Sequence, residues 1–145
     1  MTVAPYEILP RVWFGDETYT HSDNCLFTIT HILNVCCEES ATSKIAKETM
    51  LECEWIYNLD EPDWPILGAR YKLAESFLDR VLSETNHAVY IHCHEGINRS
   101  AAIAIAYRCS KTSESAKNII KEIRKTGRTI LTNSGFETVL LTIFM

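Results

Sequence analysis

The 145-residue chain is 46% apolar and 23% charged with a formal net charge of −5, the make-up of an ordinary globular protein. No apolar run reaches the roughly 20 residues that cross a bilayer, so no membrane association is expected, and the acidic balance speaks against a nucleic-acid backbone as the main partner. The six cysteines accompany no basic-then-apolar leader in Met1 to Pro10, which favours reduced thiols in an intracellular protein, cytoplasmic and/or nuclear, with residues 1–145 forming one domain.

In chain order, Val12 to Phe14 reads as a short strand ended by Gly15-Asp16, and Asp16 to Thr30 as one or two short helices. His31 to Val35 is a compact apolar strand, Ala41 to Met50 a helical turn or two, and Glu54 to Leu59 a further strand rich in aromatic and branched residues. Two prolines and three acids make Asp60 to Pro65 a loop. Leu67, Tyr71, Ala74, Phe77, Leu78, Val81 and Leu82 then recur at helical spacing. Ala88 to His92 is a buried strand, and Ser100 to Cys109, apolar nearly all round, a helix through the core. Ser113 to Lys125 is amphipathic. Lys117, Lys121, Arg124, Lys125 and Arg128 line one stripe, a solvated face first and a basic surface for an acidic partner second. Ser134-Gly135-Phe136-Glu137 matches a capping box and opens a last helix ending near Phe144. Strands alternating with helices predict an α/β domain with a largely parallel, helix-covered sheet.

The chemistry concentrates at His92-Cys93-His94-Glu95-Gly96-Ile97-Asn98-Arg99-Ser100. A buried strand ends there, a glycine-containing loop follows, and a long helix begins. Such a junction aims unpaired backbone N–H groups at one point, backed by the positive end of the helix dipole, and so holds an anion without a cation. Gly96 permits the tight curvature. A thiol in that position is expected to ionise readily, and Arg99, six residues on, supplies a planar fork for two phosphate oxygens. Attack of the sulfur on phosphorus, then of water on the phosphocysteine, is covalent catalysis in two steps. Neither Cys36-Cys37 nor His92 and His94 shows the paired spacing of a structural zinc site, and the chemistry calls for no metal and no cofactor.

These residues resemble the His-Cys-x-x-Gly-x-x-Arg-Ser/Thr signature of cysteine-dependent protein tyrosine phosphatases. Ile8-Leu9-Pro10 through Phe14-Gly15, Ile29 to Val35, Ala106-Tyr107 and Asn133-Ser134-Gly135-Phe136 are similar to the small dual-specificity branch, so the likeness covers nearly the whole chain. The resemblance implies a central, mostly parallel sheet of about five strands flanked by helices. It implies hydrolysis of phosphotyrosine and of phosphoserine or phosphothreonine on phosphoprotein substrates. Cys93 would be the nucleophile, Arg99 the phosphate clamp, Ser100 the support of the leaving thiolate, and His92 the residue that orients the loop and tunes the cysteine. His94, Glu95, Gly96, Ile97, Asn98 and Arg99 would form the substrate cradle. The family's acid on a mobile loop falls on Asp60, ahead of Asp63, although the spacing to the next helix is one residue longer than in many members.

Two departures stand out. Many relatives carry Ala where Glu95 stands, and a carboxylate there is expected either to be tolerated, to pair with a basic group, or to slow catalysis or disfavour highly acidic substrates. Thr132 replaces a frequent proline, which should affect only the start of the last helix. His94 and Trp64 are candidate rim residues, local packing being the plainer reading. Cys36 or Cys53 could pair with Cys93 under oxidation. Two other functions stay open. The Gly96-to-Arg99 element is also similar to RNA 5′-triphosphatases, the one reading that brings in nucleic acid, and a silent phosphate-binding adaptor would share the cradle.

Overall fold

The computed structural model describes residues 4–18, 29–39 and 51–145. The short helices expected within Asp16 to Thr30 fall largely, and those within Ala41 to Met50 wholly, outside the described residues. Five strands form one sheet: β1 (Tyr6–Leu9), β2 (Val12–Asp16), β3 (His31–Asn34), β4 (Glu52–Trp55) and β5 (Val89–Cys93), in the order β1-β2-β5-β3-β4. Only β1 with β2 is antiparallel; the other pairs are parallel. Four helices stand among the described residues, the first of them between β4 and β5: α1 (Ala69–Leu82), α2 (Arg99–Thr112), α3 (Ala116–Lys125) and α4 (Ser134–Ile143). This is the central, mostly parallel sheet of five strands flanked by helices that the sequence led one to expect. Among the described residues no helix is long and apolar enough to cross a membrane.

The central strand β5 is buried along its whole length, as a strand covered on both faces must be. The pleat sends alternate residues to opposite sides. Ile91, with Leu33 and Phe14, enters the larger apolar cluster under the helices; Tyr90, with Ile32, enters a smaller cluster that includes Ile29 and Ala88. Helix α2 lies against the sheet with Ala101, Ala102, Ala104 and Ala106 all fully buried, small side chains that let the backbone come close. It ends at Ser113, whose φ of 65° is left-handed and whose N–H returns to the Cys109 carbonyl. That turn breaks the predicted Ser113-to-Lys125 helix, which restarts at Ala116 behind the Ser115 cap.

Two further boundaries differ from expectation. The fourth strand runs Glu52–Trp55, earlier than the predicted Glu54 to Leu59, because its partner β3 stops at Asn34, opposite Trp55. The cap of α4 is Asn133, not Ser134: the Asn133 side-chain oxygen accepts the Phe136 N–H at 3.2 Å. Glu137 is therefore free of a capping box and binds Arg124 at 2.7 Å. Arg124 also donates to the Ile130 carbonyl, and Arg128 lies over the Phe14 ring and donates to the Ala4 carbonyl. Those two cations of the basic stripe are thus committed to structure, while Lys117, Lys121 and Lys125 stay exposed.

Candidate active site

The register of the parallel strands sets the site. Asp16 pairs with Cys93 and Asn34 with His92, so the nucleophile candidate emerges at the carboxyl end of the sheet, where α/β sheets open their crevices. Five loop residues, His94 to Asn98, separate β5 from α2. Gly96 sits at φ 73°, and a Cβ there would stand 2.6 Å from both the Gly15 carbonyl carbon and the Asp16 nitrogen. Glycine is required twice over, by dihedral and by contact.

Cys93 is 2% exposed, yet it lies on the floor of a cavity of about 120 Å³ that Asp60, Glu95, Asn98 and Arg99 also line. Its Sγ accepts the Gly96 N–H at 3.3 Å and lies 3.2 Å from Ser100 Oγ. Ser100 Oγ is also 3.2 Å from the Gly15 carbonyl. The single hydroxyl proton has two acceptors within reach, the Gly15 carbonyl and the Cys93 sulfur.

Arg99 is turned inward and is only 9% exposed. Nη1 donates to the Asn58 carbonyl at 3.1 Å, whereas Nε is buried and has no partner among the described residues. Burial opposes the guanidinium charge, but Cys36, Cys93, a hydrogen bond with Cys37 and Asp60 together outweigh it and raise its pKa. Asn58 is itself buried and takes the Trp64 Nε1–H on its side-chain oxygen at 2.9 Å. Trp64, beneath the Arg70 guanidinium, is therefore a brace behind the clamp, the packing reading of that residue.

Asp60 lines the Cys93 cavity; Asp63 lines a separate one with Pro62, Gly68 and Gly135. Asp60 Oδ1 accepts from Asn133 Nδ2 at 2.8 Å and Oδ2 from Asn98 Nδ2 at 3.0 Å. The Asn98 side-chain oxygen accepts the Asn133 N–H at 2.9 Å, and Asn98 Nδ2 also reaches Thr132 Oγ1 at 3.1 Å. Thr132 thus touches the phosphate loop, which corrects the expectation that it would matter only at the start of α4. The Ile97 carbonyl accepts the Leu131 N–H at 2.9 Å, from a buried residue held at φ 57°.

The other candidates are placed as follows. His92 is fully buried, stacked on Tyr90 at 6.2 Å between ring centroids, with Nδ1 3.4 Å from the Cys93 carbonyl. His94 is exposed and bonds Glu17 at 2.8 Å, on the rim. Glu95 is exposed and makes no ion pair among the described residues. It lines both the small cavity and an adjoining open cleft of about 890 Å³ bounded by Tyr6, Asp16 and Arg128. The described cysteines are all free: Cys36 lies within the field of Arg99, whereas Cys53 joins the smaller apolar cluster, its thiol pushed up to about 11 by burial. Asn58 and Asn133 were not legible as site residues, because neither carries a spacing signal.

A family model described as dual specificity phosphatase, catalytic domain, matches residues 12–144. Human dual specificity protein phosphatase 5 is 30% identical over 142 residues, covering 95% of this chain and 35% of its own length. Bovine dual specificity protein phosphatase 26 is 26% identical over 140 residues, covering 94% of this chain and 65% of its own length. The chain therefore spans about a third and just under two thirds of these relatives. Among solved structures, human DUSP28 superposes with a TM-score of 0.81 at 16% identity, covering 99% of this chain and 95% of the other.

Proposed function

This chain belongs to the dual specificity phosphatase family, and we propose on that footing that it hydrolyses phosphotyrosine and phosphoserine or phosphothreonine on proteins through a phosphocysteine intermediate. The observation that carries this reading is that Arg99, whose buried Nε has no partner among the described residues, lines the same small cavity as Cys93. A buried donor without an acceptor is costly, and an oxyanion above the sulfur satisfies it.

In the first step the Cys93 thiolate attacks phosphorus as the P–O bond to the substrate breaks. Arg99 and the loop N–H groups hold the non-bridging oxygens, and the Asp60 carboxyl gives its proton to the departing oxygen. In the second step the Asp60 carboxylate takes a proton from water, the water oxygen bonds phosphorus, and the P–S bond breaks. The Ser100 hydroxyl, 3.2 Å from Sγ, then donates to the returning thiolate. His92 fixes the loop from behind. The steps draw only on groups of this chain and on water. The open cleft beside the small cavity supports access for phosphoresidues of different length in a peptide. Residues 1–145 are read as one catalytic domain, acting inside the cell.

The test is turnover. Purified protein should release phosphate from an aryl phosphate and from both phosphotyrosine and phosphothreonine peptides, and Cys93→Ser should abolish all three. Release from triphosphate-ended RNA with none from peptides would sink the protein-phosphatase reading, and no release from any of them would leave a binding protein.

A further inference from the structure

The loop that carries Asp60 is fastened at two places that ordinary loop packing does not need. Both carboxylate oxygens of Asp60 are engaged, one by Asn98 of the phosphate loop and one by Asn133 at the cap of α4. The two asparagines are bonded to each other through the Asn133 backbone N–H and the Asn98 side-chain oxygen at 2.9 Å, so the three residues close a ring. Asn133 spends its remaining side-chain atom on the α4 cap, which fixes its rotamer. A second contact is independent of these bonds. Gly135, in the first turn of α4, lies so close to the loop that a Cβ there would stand 1.9 Å from the Pro62 carbonyl oxygen and 2.6 Å from its carbon. The loop is seated on bare helix backbone two residues beyond Asp60.

From this geometry we propose that Asn98 and Asn133 are positioning residues that hold Asp60 over the Cys93 cavity before substrate arrives. The proposal rests on the reading of Asp60 as general acid. General-acid catalysis demands that the carboxyl lie within hydrogen-bond reach of the leaving oxygen, and a misplacement of about 1 Å can cost 100-fold. A loop that must close over the substrate reaches that position only on binding. Here the phosphate loop itself supplies a donor to Asp60, so the acid and the oxyanion cradle form one rigid unit. Asn98 accordingly meets substrate through its backbone N–H, its side chain being taken up by Asp60, Thr132 and Asn133.

The experiment compares two substrates that differ in need for the acid: phenyl phosphate, whose leaving group is poor, and 4-nitrophenyl phosphate, whose leaving group is good. The quantity read is the ratio of kcat on the second to kcat on the first. Asn98→Ser and Asn133→Ser each remove an amide donor, and serine at 133 keeps an oxygen for the α4 cap. Each should raise the ratio by roughly 5- to 30-fold, part of the roughly 100-fold or more that a general acid supplies. Gly135→Ala, which displaces the loop at Pro62 while leaving both amide donors in place, should raise it in the same direction. On an Asp60→Asn background the same changes should move the ratio by less than about twofold, because there is no acid left to position. A ratio unchanged in both asparagine variants while Asp60→Asn raises it overturns the positioning role and leaves the acid assignment standing. An equal rise with and without Asp60 also overturns it, since that is the mark of general disturbance. A ratio that Asp60→Asn itself does not move overturns the acid assignment and the positioning role together.

Discussion

The two walls of the site are built by different means. The phosphate loop, Cys93 to Ser100, is shaped by backbone: a strand end, a glycine at φ 73° whose N–H points at the sulfur, and a helix start. The acid wall, from Asn58 to Asp60, is held by side chains that come from far along the chain, Asn98 at a separation of 38 positions and Asn133 at 73. A wall made of backbone should fail all at once when one atom is added. A wall made of side-chain bonds should weaken by degrees.

The sharpest way to break that contrast is Gly96→Ala. The added methyl meets the backbone of Gly15 and Asp16, neither of which can turn away, and the residue must keep a left-handed φ. We expect a loss of roughly 2–4 kcal/mol in stability and phosphatase activity reduced to background. Thermal unfolding and aryl phosphate turnover check both. A variant with near-normal turnover would mean that the loop is not backbone-determined.

On the other wall the largest effect belongs to Asp60→Asn. It keeps the shape of the side chain but turns one acceptor into a donor, so one of the two asparagine bonds is lost and stability should fall by about 1 kcal/mol, while turnover of phenyl phosphate falls roughly 100-fold or more. The same substitution at Asp63, which lines a different cavity, should leave turnover within about twofold of the parent. Equal losses at the two positions would erase the distinction between them.

A smaller effect is expected behind the clamp. Trp64→Phe removes the Nε1–H that Asn58 Oδ1 accepts and leaves that oxygen short of a donor. The cost should be about 1 kcal/mol in stability. Because the Asn58 carbonyl receives Arg99 Nη1, a several-fold rise in KM should accompany it. Unchanged KM would place Trp64 in packing alone.

The same contrast decides what was legible. Cys93, Gly96, Arg99 and Ser100 could be read as candidates because a strand-loop-helix junction is local: the residues that make it are neighbours in sequence, and the structure brings them together. The choice of Asp60 over Asp63 came only from a family likeness, and the cavities separate the two. Asn58, Asn133 and Thr132 carry no local signal. An asparagine at a helix start reads as a cap, and Asn133 is one, but the same side chain also donates to Asp60, a partner that only the fold brings near. The capping box failed for a related reason. Ser134 and Glu137 have the right spacing, yet the residue before them had a better-placed oxygen and Arg124 offered Glu137 an ion pair. The fourth strand ends at Trp55 rather than at Leu59 because the length of its partner β3, not its own composition, sets where pairing stops.

The smallest effect is expected where the two walls meet solvent, at Glu95. It stands in the phosphate loop, exposed, without an ion pair among the described residues, and it borders both the cavity and the larger cleft. An exposed carboxylate is screened, so its field acts weakly at the phosphorus and more on charged groups that pass along the cleft. Glu95→Ala should therefore change kcat on a small aryl phosphate by less than about twofold, yet lower KM for phosphopeptides with acidic neighbours by roughly two- to fivefold. Raising the salt concentration should shrink that difference, since it is long-range repulsion that is removed. If acidic and basic phosphopeptides respond alike, Glu95 sets no preference and its carboxylate is simply tolerated. If the small substrate instead speeds up as much as the peptides do, the charge acts on the phosphate loop itself, and the backbone-built wall is less indifferent to its side chains than its geometry implies.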